Sequence, residues 1–508
     1  MFDALITGLL MVLEGKAFLF LLTGAAIGFW IGILPGVGGQ VAMALMLSFI
    51  YKMSPAEALA FLLGMHSVCA TTGDITSVLF GIPGEGVSAA TILDGYPMAK
   101  KGEAGRALGA VLMSSLVGAI IGAFCLAIAI PVVRPLVLAF GSPEMFMMII
   151  VGLTCISSLS GQGKRGAMLG LVAGGIGFLL SLVGTDPHAG IHRFTFDLPY
   201  LWEGIPLVPM LVGVFAIPEI VDLAVRGTPI AANDLSSNLG KGVLEGVKDT
   251  FRHFWLVVRC SILGAWVGTL PGLGGGVAQW VSYAHAVQSA KTPEERAGFG
   301  KGDIRGVLGP GAANNSKEGG GLIPTVAFGI PSGPSMAILL GGLLLLGIIP
   351  GPELLTKYLP LTFSMVWTIV LANIIVVTVS LLFINQIARL TTIRGNLILP
   401  FVIILSFIGA YTANNNVGDI ILLLIFGGLG YVMARFGWPR PPFVLGFVLG
   451  TLAETYFTTT FSRYKAAWLL RPGVIILFCL AIVVALYPFI KGRRTKLPGR
   501  GRVGSDEM

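Results

Sequence analysis

One twelve-residue stretch of this chain occurs twice. Residues 28–39 read GFWIGILPGVGG and residues 264–275 read GAWVGTLPGLGG, identical at eight of the twelve positions. The echo continues downstream. Phe80-Gly81-Ile82-Pro83 returns as Phe328-Gly329-Ile330-Pro331, and GGIGFLLSLVG (174–184) returns as GGLGYVMARFG (427–437). One half has been duplicated, with the offset drifting as loop insertions would make it. In each copy Pro and Gly interrupt an apolar segment at the same place. Paired broken helices in two related halves of a membrane protein point to a transport site.

The composition supplies the membrane. Hydrophobic residues make up 55% of the chain, charged residues 11%, and the mean hydropathy is +0.87. A soluble chain carries about 25% charged residues. Apolar runs long enough to cross a bilayer recur at 17–33, 107–131, 205–221, 358–384 and 473–490. No small-residue cleavage site follows the first, so it reads as a span and not as a removable signal. The 71 glycines suit close helix packing and unwound backbone. Cys69, Cys125, Cys155, Cys260 and Cys479 stand singly in apolar runs, without a CxxC pair or a histidine at ligand spacing, and read as small buried hydrophobes.

Lys and Arg set the threading. With the basic tail (Lys491, Arg493, Arg494, Lys496, Arg500, Arg502) in the cytoplasm, the spans 473–490, 442–457, 419–435, 396–412 and 358–384 alternate the loops. Most of the 33 basic residues then lie inside; Lys357, Arg463, Lys465 and Arg471 lie outside. Corresponding loops of the two halves fall on opposite faces: 164–165 inside against 414–419 outside, and 100–106 inside against 347–357 outside. The expectation is an all-α polytopic membrane protein of two inverted-topology repeats with broken or re-entrant helices. Residues 1–225 form the first repeat and 226–253 an amphipathic cytoplasmic linker, with a disordered tether as the other reading. Residues 254–460 form the second repeat, 461–490 an additional C-terminal transmembrane helix, and 491–508 a basic cytoplasmic tail.

In each half a helix reaches Pro-Gly-x-Gly-Gly, at Pro35, Gly36, Gly38 and Gly39 and again at Pro271, Gly272, Gly274 and Gly275, and must lose its regular backbone there. A short apolar piece follows (41–51, 277–287), then a polar patch (66–77, 310–321), then a second break at Gly-Ile-Pro. Unwound backbone at membrane depth is tolerated where it is buried in protein or lines a water-filled cavity. Half-helix N-termini there suit carboxylates, and dipole ends are the economical source of positive potential at the bilayer midplane. The anion is therefore expected between the tips: Gly81, Pro83 and Gly84 on one side, Gly329, Pro331 and Ser332 on the other, with Lys317 as the nearby fixed cation. Thr71, Thr72, Asp74, Asn314, Asn315 and Ser316 supply oxygens for a coupling cation. Asp74 and the Lys317–Glu318 pair are ionisable groups in apolar surroundings, which mark a pathway; mutual neutralisation of Lys317 and Glu318 at a loop is the alternative. His66 reads as a hydrogen-bonded packing residue or as a proton sensor.

No HExxH, GxSxG or Walker A motif is present, so nothing points to an enzyme or a nucleotide site, and no cofactor is expected. Transport would be driven by an ion gradient or by a partner. A channel would also explain buried polar patches, but paired broken helices that do not repeat around a pore argue against it. An intramembrane enzyme would have to use Asp74 with His66, without an activating partner.

These motifs resemble the TctA family, the large membrane subunit of bacterial tripartite tricarboxylate transporters. The resemblance rests on GILPGVGG (32–39), ATTGDITSVLFGIPGEG (70–86), LDGYPMAKKGEAGRALG (93–109), GTLPGLGGG (268–276) and KEGGGLIPTVAFGIPSGPSMAILLGG (317–342), and covers essentially the whole chain. It implies a complex with a small four-helix TctB-like membrane subunit and a periplasmic TctC-like substrate-binding protein in the bacterial inner membrane. It also implies uptake of carboxylates such as citrate or tartrate driven by Na⁺ or H⁺, and an elevator-type secondary transporter. An ion-coupled carboxylate transporter without a binding protein is the alternative.

Inversion makes a direct prediction. Single cysteines placed at Gly163 and at Asn415 should react with membrane-impermeant maleimide from opposite faces; labelling of both from one side refutes inverted halves.

Overall fold

The computed structural model describes residues 1–34, 38–159, 163–186, 190–226, 242–272, 274–390 and 399–491. The first half runs α1 (Phe2–Leu13), α2 (Gly15–Ile33), α3 (Gly38–Met46), α4 (Pro55–Phe80), α5 (Ile92–Lys100), α6 (Ala104–Ala139), α7 (Ser142–Leu159), α8 (Gly163–Ser181) and α9 (Leu207–Arg226). The second runs α10 (Val243–Arg252), α11 (Phe254–Gly268), α12 (Gly274–Gln288), α13 (Pro293–Gly298), α14 (Arg305–Phe328), α15 (Pro334–Leu345), α16 (Leu359–Leu382) and α17 (Ile384–Leu390). It continues with α18 (Leu399–Asn414), α19 (Val417–Arg435), α20 (Arg440–Tyr464) and α21 (Pro472–Lys491). Among the described residues the one sheet is a two-residue antiparallel pairing of Gly184–Thr185 with His192–Arg193.

Five of these helices, α2, α4, α6, α16 and α19, are each long and apolar enough to cross a bilayer, and α20 with α21 makes a sixth, bent by 76°. The chain is a polytopic all-α membrane protein. The bend modifies the expected 461–490 helix. The α20 helix continues to Tyr464, Lys465 takes φ +48°, a 3₁₀ turn covers Lys465–Leu470, and Pro472 starts α21 with its fixed φ. The expected linker lies partly outside the described residues (227–241). Its helical stretch forms α10, whose Gly246 presses against the backbone of Arg106 and whose Asp249 accepts from Arg106 Nε at 2.6 Å. Leu244 and Phe251 stay exposed on the other face.

The centre of the molecule is α4 beside α14. Ser54 starts α4 with a capping box: its hydroxyl accepts from the Glu57 amide at 3.4 Å, the Glu57 carboxylate accepts from the Ser54 amide at 2.9 Å, and Pro55 takes the first helical position. Gly81 ends α4 at φ +67°, and Gly329 ends α14 at φ +68°, left-handed caps that favour glycine. The two Gly-Ile-Pro tips are therefore matching helix C-termini. Both polar patches lie inside continuous helix, and nearly all of α4 and α14 is buried.

Glycine lets the neighbours reach this depth. A Cβ on Gly24, Gly28 or Gly32 of α2 would lie 2.3, 2.2 and 2.5 Å from the carbonyl oxygens of Phe61, Met65 and Cys69 on α4. The corresponding glycines of the second copy do the same work, Gly264 against Ala313 and Ser316, and Gly268 against Lys317. On its other side α14 meets α6, where Gly118 and Gly122 face the backbones of Ala312 and Ser316. Pairing between the halves is reciprocal: α1 lies on α16 and α10 on α6, while α9 packs on α19 and α8 on α20.

Gly28→Val should destabilise the protein by more than the about 1–3 kcal/mol of ordinary overpacking, because the clash is with backbone. Gly428→Ala, where a Cβ meets nothing within 4 Å, should leave stability unchanged or raise it. Thermal melting in detergent measures both, and a wild-type melt for Gly28→Val would refute the close α2–α4 contact.

Candidate functional site

Three ionisable residues form a chain across the α4–α14 interface. Lys317 and Glu318, consecutive on α14 and 7% and 3% exposed, are ion-paired through Lys317 Nζ and Glu318 Oε1. The second carboxylate oxygen accepts from His66 Nε2 of α4 at 3.1 Å. A fourth group comes from the segment after the first tip: Glu85 Oε1 accepts the Gly39 amide at 2.8 Å, at the start of α3. A carboxylate at a helix N-terminus is favoured by the free N–H groups and the dipole. The protein's own Glu85 thus takes the Gly39 amide that the sequence assigned to substrate.

These groups surround a cavity of about 60 Å³, lined by Gln40, His66 and Glu85 from the first half and by Lys317, Glu318 and Ser332 from the second. Gly268 and the start of α15, Gly333 to Met336, complete the lining. Gly333 caps α15 without a side-chain hydrogen bond, so the first amides of α15 have no side-chain cap. The volume admits a few waters and is far below the roughly 300–1,000 Å³ of small-molecule sites.

A separate pair of networks ties α4 to α14 nearby. Asp74 Oδ1 accepts from Thr91 at 3.0 Å and Asp74 Oδ2 from Asn314 Nδ2 at 2.8 Å; Asn314 also donates to the Ala70 carbonyl at 2.7 Å. Asn315 Nδ2 reaches Thr71, Ser115 and Asn373 at 2.5, 2.8 and 2.7 Å, and Asn373 in turn donates to Ser67 at 2.6 Å. The Oδ1 atoms of both Asn314 and Asn315 are buried without a partner. Thr72 and Ser316, expected to face a cation, bond carbonyls of their own helices, Val68 at 3.0 Å and Ala313 at 3.4 Å.

Of the residues expected at the anion, Lys317 and Ser332 share the cavity, and Gly39 touches it through Glu85. Pro35 and Gly36 lie outside the described residues. Gly38 opens α3 at φ +64°, and Gly84 packs against Thr76, Gly73 and the Gly32 carbonyl. Pro271 and Gly272 form a turn whose Gly272 amide donates to the Ser332 carbonyl at 3.0 Å, while Gly274 and Gly275 begin α12. Gly81, Pro83, Gly329 and Pro331 shape the tips without lining the cavity. Lys317 and Glu318 do neutralise each other, inside a helix and not at a loop.

A second cavity of about 350 Å³ lies under the 184–207 segment, against α15 and α20. Its arginine, Arg193, is held by Glu454 at 2.6 and 3.0 Å, and His192 stacks on Trp202 with centroids 4.7 Å apart. His188 lies outside the described residues.

A profile of the tripartite tricarboxylate transporter TctA family matches residues 18–445. The chain belongs to the TctA family. It is similar to an uncharacterised 52.8 kDa protein in the TAR-I ttuC' 3' region of Agrobacterium vitis, 34% identical over 491 residues, 93% of this chain and 94% of that protein. It is also 34% identical over 245 residues to an uncharacterised protein in the TAR-II ttuC' 3' region of the same organism, covering 46% of this chain and 98% of that one. No solved structure matches. TctA membership marks the chain as the large membrane subunit of a transporter.

Several residues of this TctA centre escaped the sequence reading: Gln40, Glu85, Thr91, Ser115 and Asn373. Two carried a usable signal. Glu85 is an ionisable residue two positions past a tip, and Asn373 is an amide within the apolar run 358–384, so the rule that singled out Asp74 applies to both.

Glu318→Leu leaves Lys317 buried and unpaired and should cost about 3–5 kcal/mol, whereas Lys317→Met with Glu318→Leu should recover most of that stability. Melting temperatures in detergent separate the two; a double variant as damaged as the single one would show that the pair does not compensate.

Proposed function

We propose that this TctA-family chain imports di- or tricarboxylate anions across the bacterial inner membrane by symport with Na⁺ or H⁺. In this reading it works with a small four-helix membrane subunit and receives substrate from a periplasmic binding protein. The observation that carries the reading is the meeting of Lys317, Ser332 and the uncapped start of α15 at one cavity between two broken-helix halves. A carboxylate needs hydrogen-bond donors and positive potential at membrane depth, where an unpaired fixed charge is costly. Lys317 is held there in advance by Glu318, and α15 adds amides without net charge.

The duplicated sequence and the reciprocal helix pairing support inverted halves related by a pseudo-two-fold, with alternating access through an elevator-type movement. For a coupling cation, Asp74 and the free Oδ1 atoms of Asn314 and Asn315 offer buried oxygen ligands. Thr71 is the remaining hydroxyl of that group.

Uptake of labelled carboxylates into proteoliposomes containing both membrane subunits, with and without the binding protein, tests the reading. Accumulation against a gradient is expected, and passive flux or none would refute it. Asp74→Asn should weaken the cation dependence while the protein stays folded. Ser332→Ala should raise the substrate KM by roughly 10–100-fold, the loss of one hydrogen bond to a charged group of about 1.5–3 kcal/mol. An unchanged KM removes Ser332 from the anion site.

A further inference from the structure

Two buried polar atoms at the cavity have no part in the scheme above. His66 Nδ1 and Glu85 Oε2 lack a hydrogen-bond partner, and both residues line the same space. Gly39 fixes how near they are. A Cβ built on it would lie 2.6 Å from His66 Nδ1 and 2.9 Å from Glu85 Oε1. His66 Nδ1 and Glu85 Oε1, the oxygen that also accepts the Gly39 amide, are therefore no farther apart than the sum of those distances, within reach of one bridging water, and the cavity has room for that water. Any side chain on Gly39 would fill the gap.

The charges around His66 do not balance while its ring is neutral. From α14 it faces Lys317 and Glu318, which cancel. The segment after the first tip contributes Glu85, which accepts the Gly39 amide; the cationic groups facing it are Lys317, already paired with Glu318, and the His66 ring. On α4 itself Cys69 lies one turn away and Asp74 two turns away, the latter bonded to Thr91 and Asn314. The neighbouring α3 adds the uncharged Gln40, and α2 presents glycines to α4. Among the groups lining the cavity one buried negative charge is left over, and an entering carboxylate would add more beside a lysine already paired. Uncompensated charge at this depth is costly.

We propose that His66 and Glu85, joined through a water, form the binding site for a co-transported proton. This rests on the carboxylate-uptake reading and deepens it. The proton enters from periplasmic water as the anion reaches Lys317, and resides on His66 Nδ1 or on Glu85. His66 Nε2–H meanwhile keeps its bond to Glu318. When the anion leaves, the proton departs to cytoplasmic water, so that only one N–H or O–H bond is made and broken in each cycle.

Two measurements test this. The first needs no substrate. In the purified full chain carrying labelled histidine, with the His66 signal assigned through His66→Gln, Glu85→Gln should move the His66 titration toward lower pH by about one unit or more. Loss of a carboxylate within several ångströms has that effect, and an unmoved titration overturns the proposal. The second uses the reconstituted complex with citrate as probe, a pH-sensitive dye in the lumen and the membrane potential clamped. Wild-type net uptake should acidify the lumen. Glu85→Gln should lose at least nine-tenths of the net uptake and of the acidification, while citrate–citrate exchange, which moves no net proton, persists. A purely structural role would lower exchange and net uptake together, and that result overturns the proposal. So does wild-type acidification by Glu85→Gln. Absence of any carboxylate accumulation by the wild type would instead refute the uptake reading, leaving the His66 titration to decide the proton site.

Discussion

Glu318 sits where a bilayer-spanning bundle can least tolerate a charge, and its two oxygens are satisfied by groups from two helices. One accepts from Lys317 on its own helix, the other from His66 on α4. That arrangement dictates much else. The carboxylate is acceptable only if α4 lies against α14 closely enough for an imidazole to bridge, and only if water reaches the cluster in controlled amounts. Desolvation of an isolated carboxylate would cost far more than any single packing contact returns. The glycine-lined approaches of α2, α6 and α11 are the packing counterpart of this electrostatic demand. They bring helix backbones together until carbonyl oxygens almost meet the facing Cα atoms, which excludes lipid and solvent from both sides of the central pair.

The two constraints also explain why the polar patches are helical. Pro310, Gly311 and the triple glycine 319–321 weaken the helix propensity of the second patch. Burial on every side reverses that preference. An α-helix bonds its own amides where no water is available, and the small residues are needed for contact, so both requirements are met without a break. The breaks fall where carbonyls can be capped, at Gly81 and Gly329 in left-handed geometry.

Much of this organisation was legible in the chain itself. Repetition of the Pro-Gly and Gly-Ile-Pro motifs marked the helix ends, and the long apolar runs marked most of the spans. The same motifs bring Lys317 and Ser332 together, and both line one cavity. The partners of these residues were not legible. Nothing in sequence spacing couples His66 to Glu318, 252 positions away, or sets Glu85 against the Gly39 amide. Such pairings are set by helix register, which depends on which glycine meets which carbonyl. Thr72 and Ser316 show the converse limit: a hydroxyl within a helix can always turn back to a carbonyl one turn earlier, so its identity alone does not aim it at an ion.

Superposing the repeats in sequence shows how a duplicated scaffold acquired two chemistries. With Gly81 matched to Gly329, His66 corresponds to Asn314, Cys69 to Lys317, Ala70 to Glu318 and Asp74 to Leu322. The contact between His66 and Glu318 then has a counterpart in the one between Asn314 and the Ala70 carbonyl, and both are present. The geometry is shared, but the charges are not. One member of the pair of contacts involves a carboxylate and borders the cavity. The other is neutral and leads to Asp74, whose match in the second half is apolar. A symmetric placement would have buried a second set of the same charges in the other copy. Segregating the lysine and its carboxylate to one copy, and the remaining aspartate to the other, leaves the two copies with different charges, while the helix ends and glycine contacts remain equivalent.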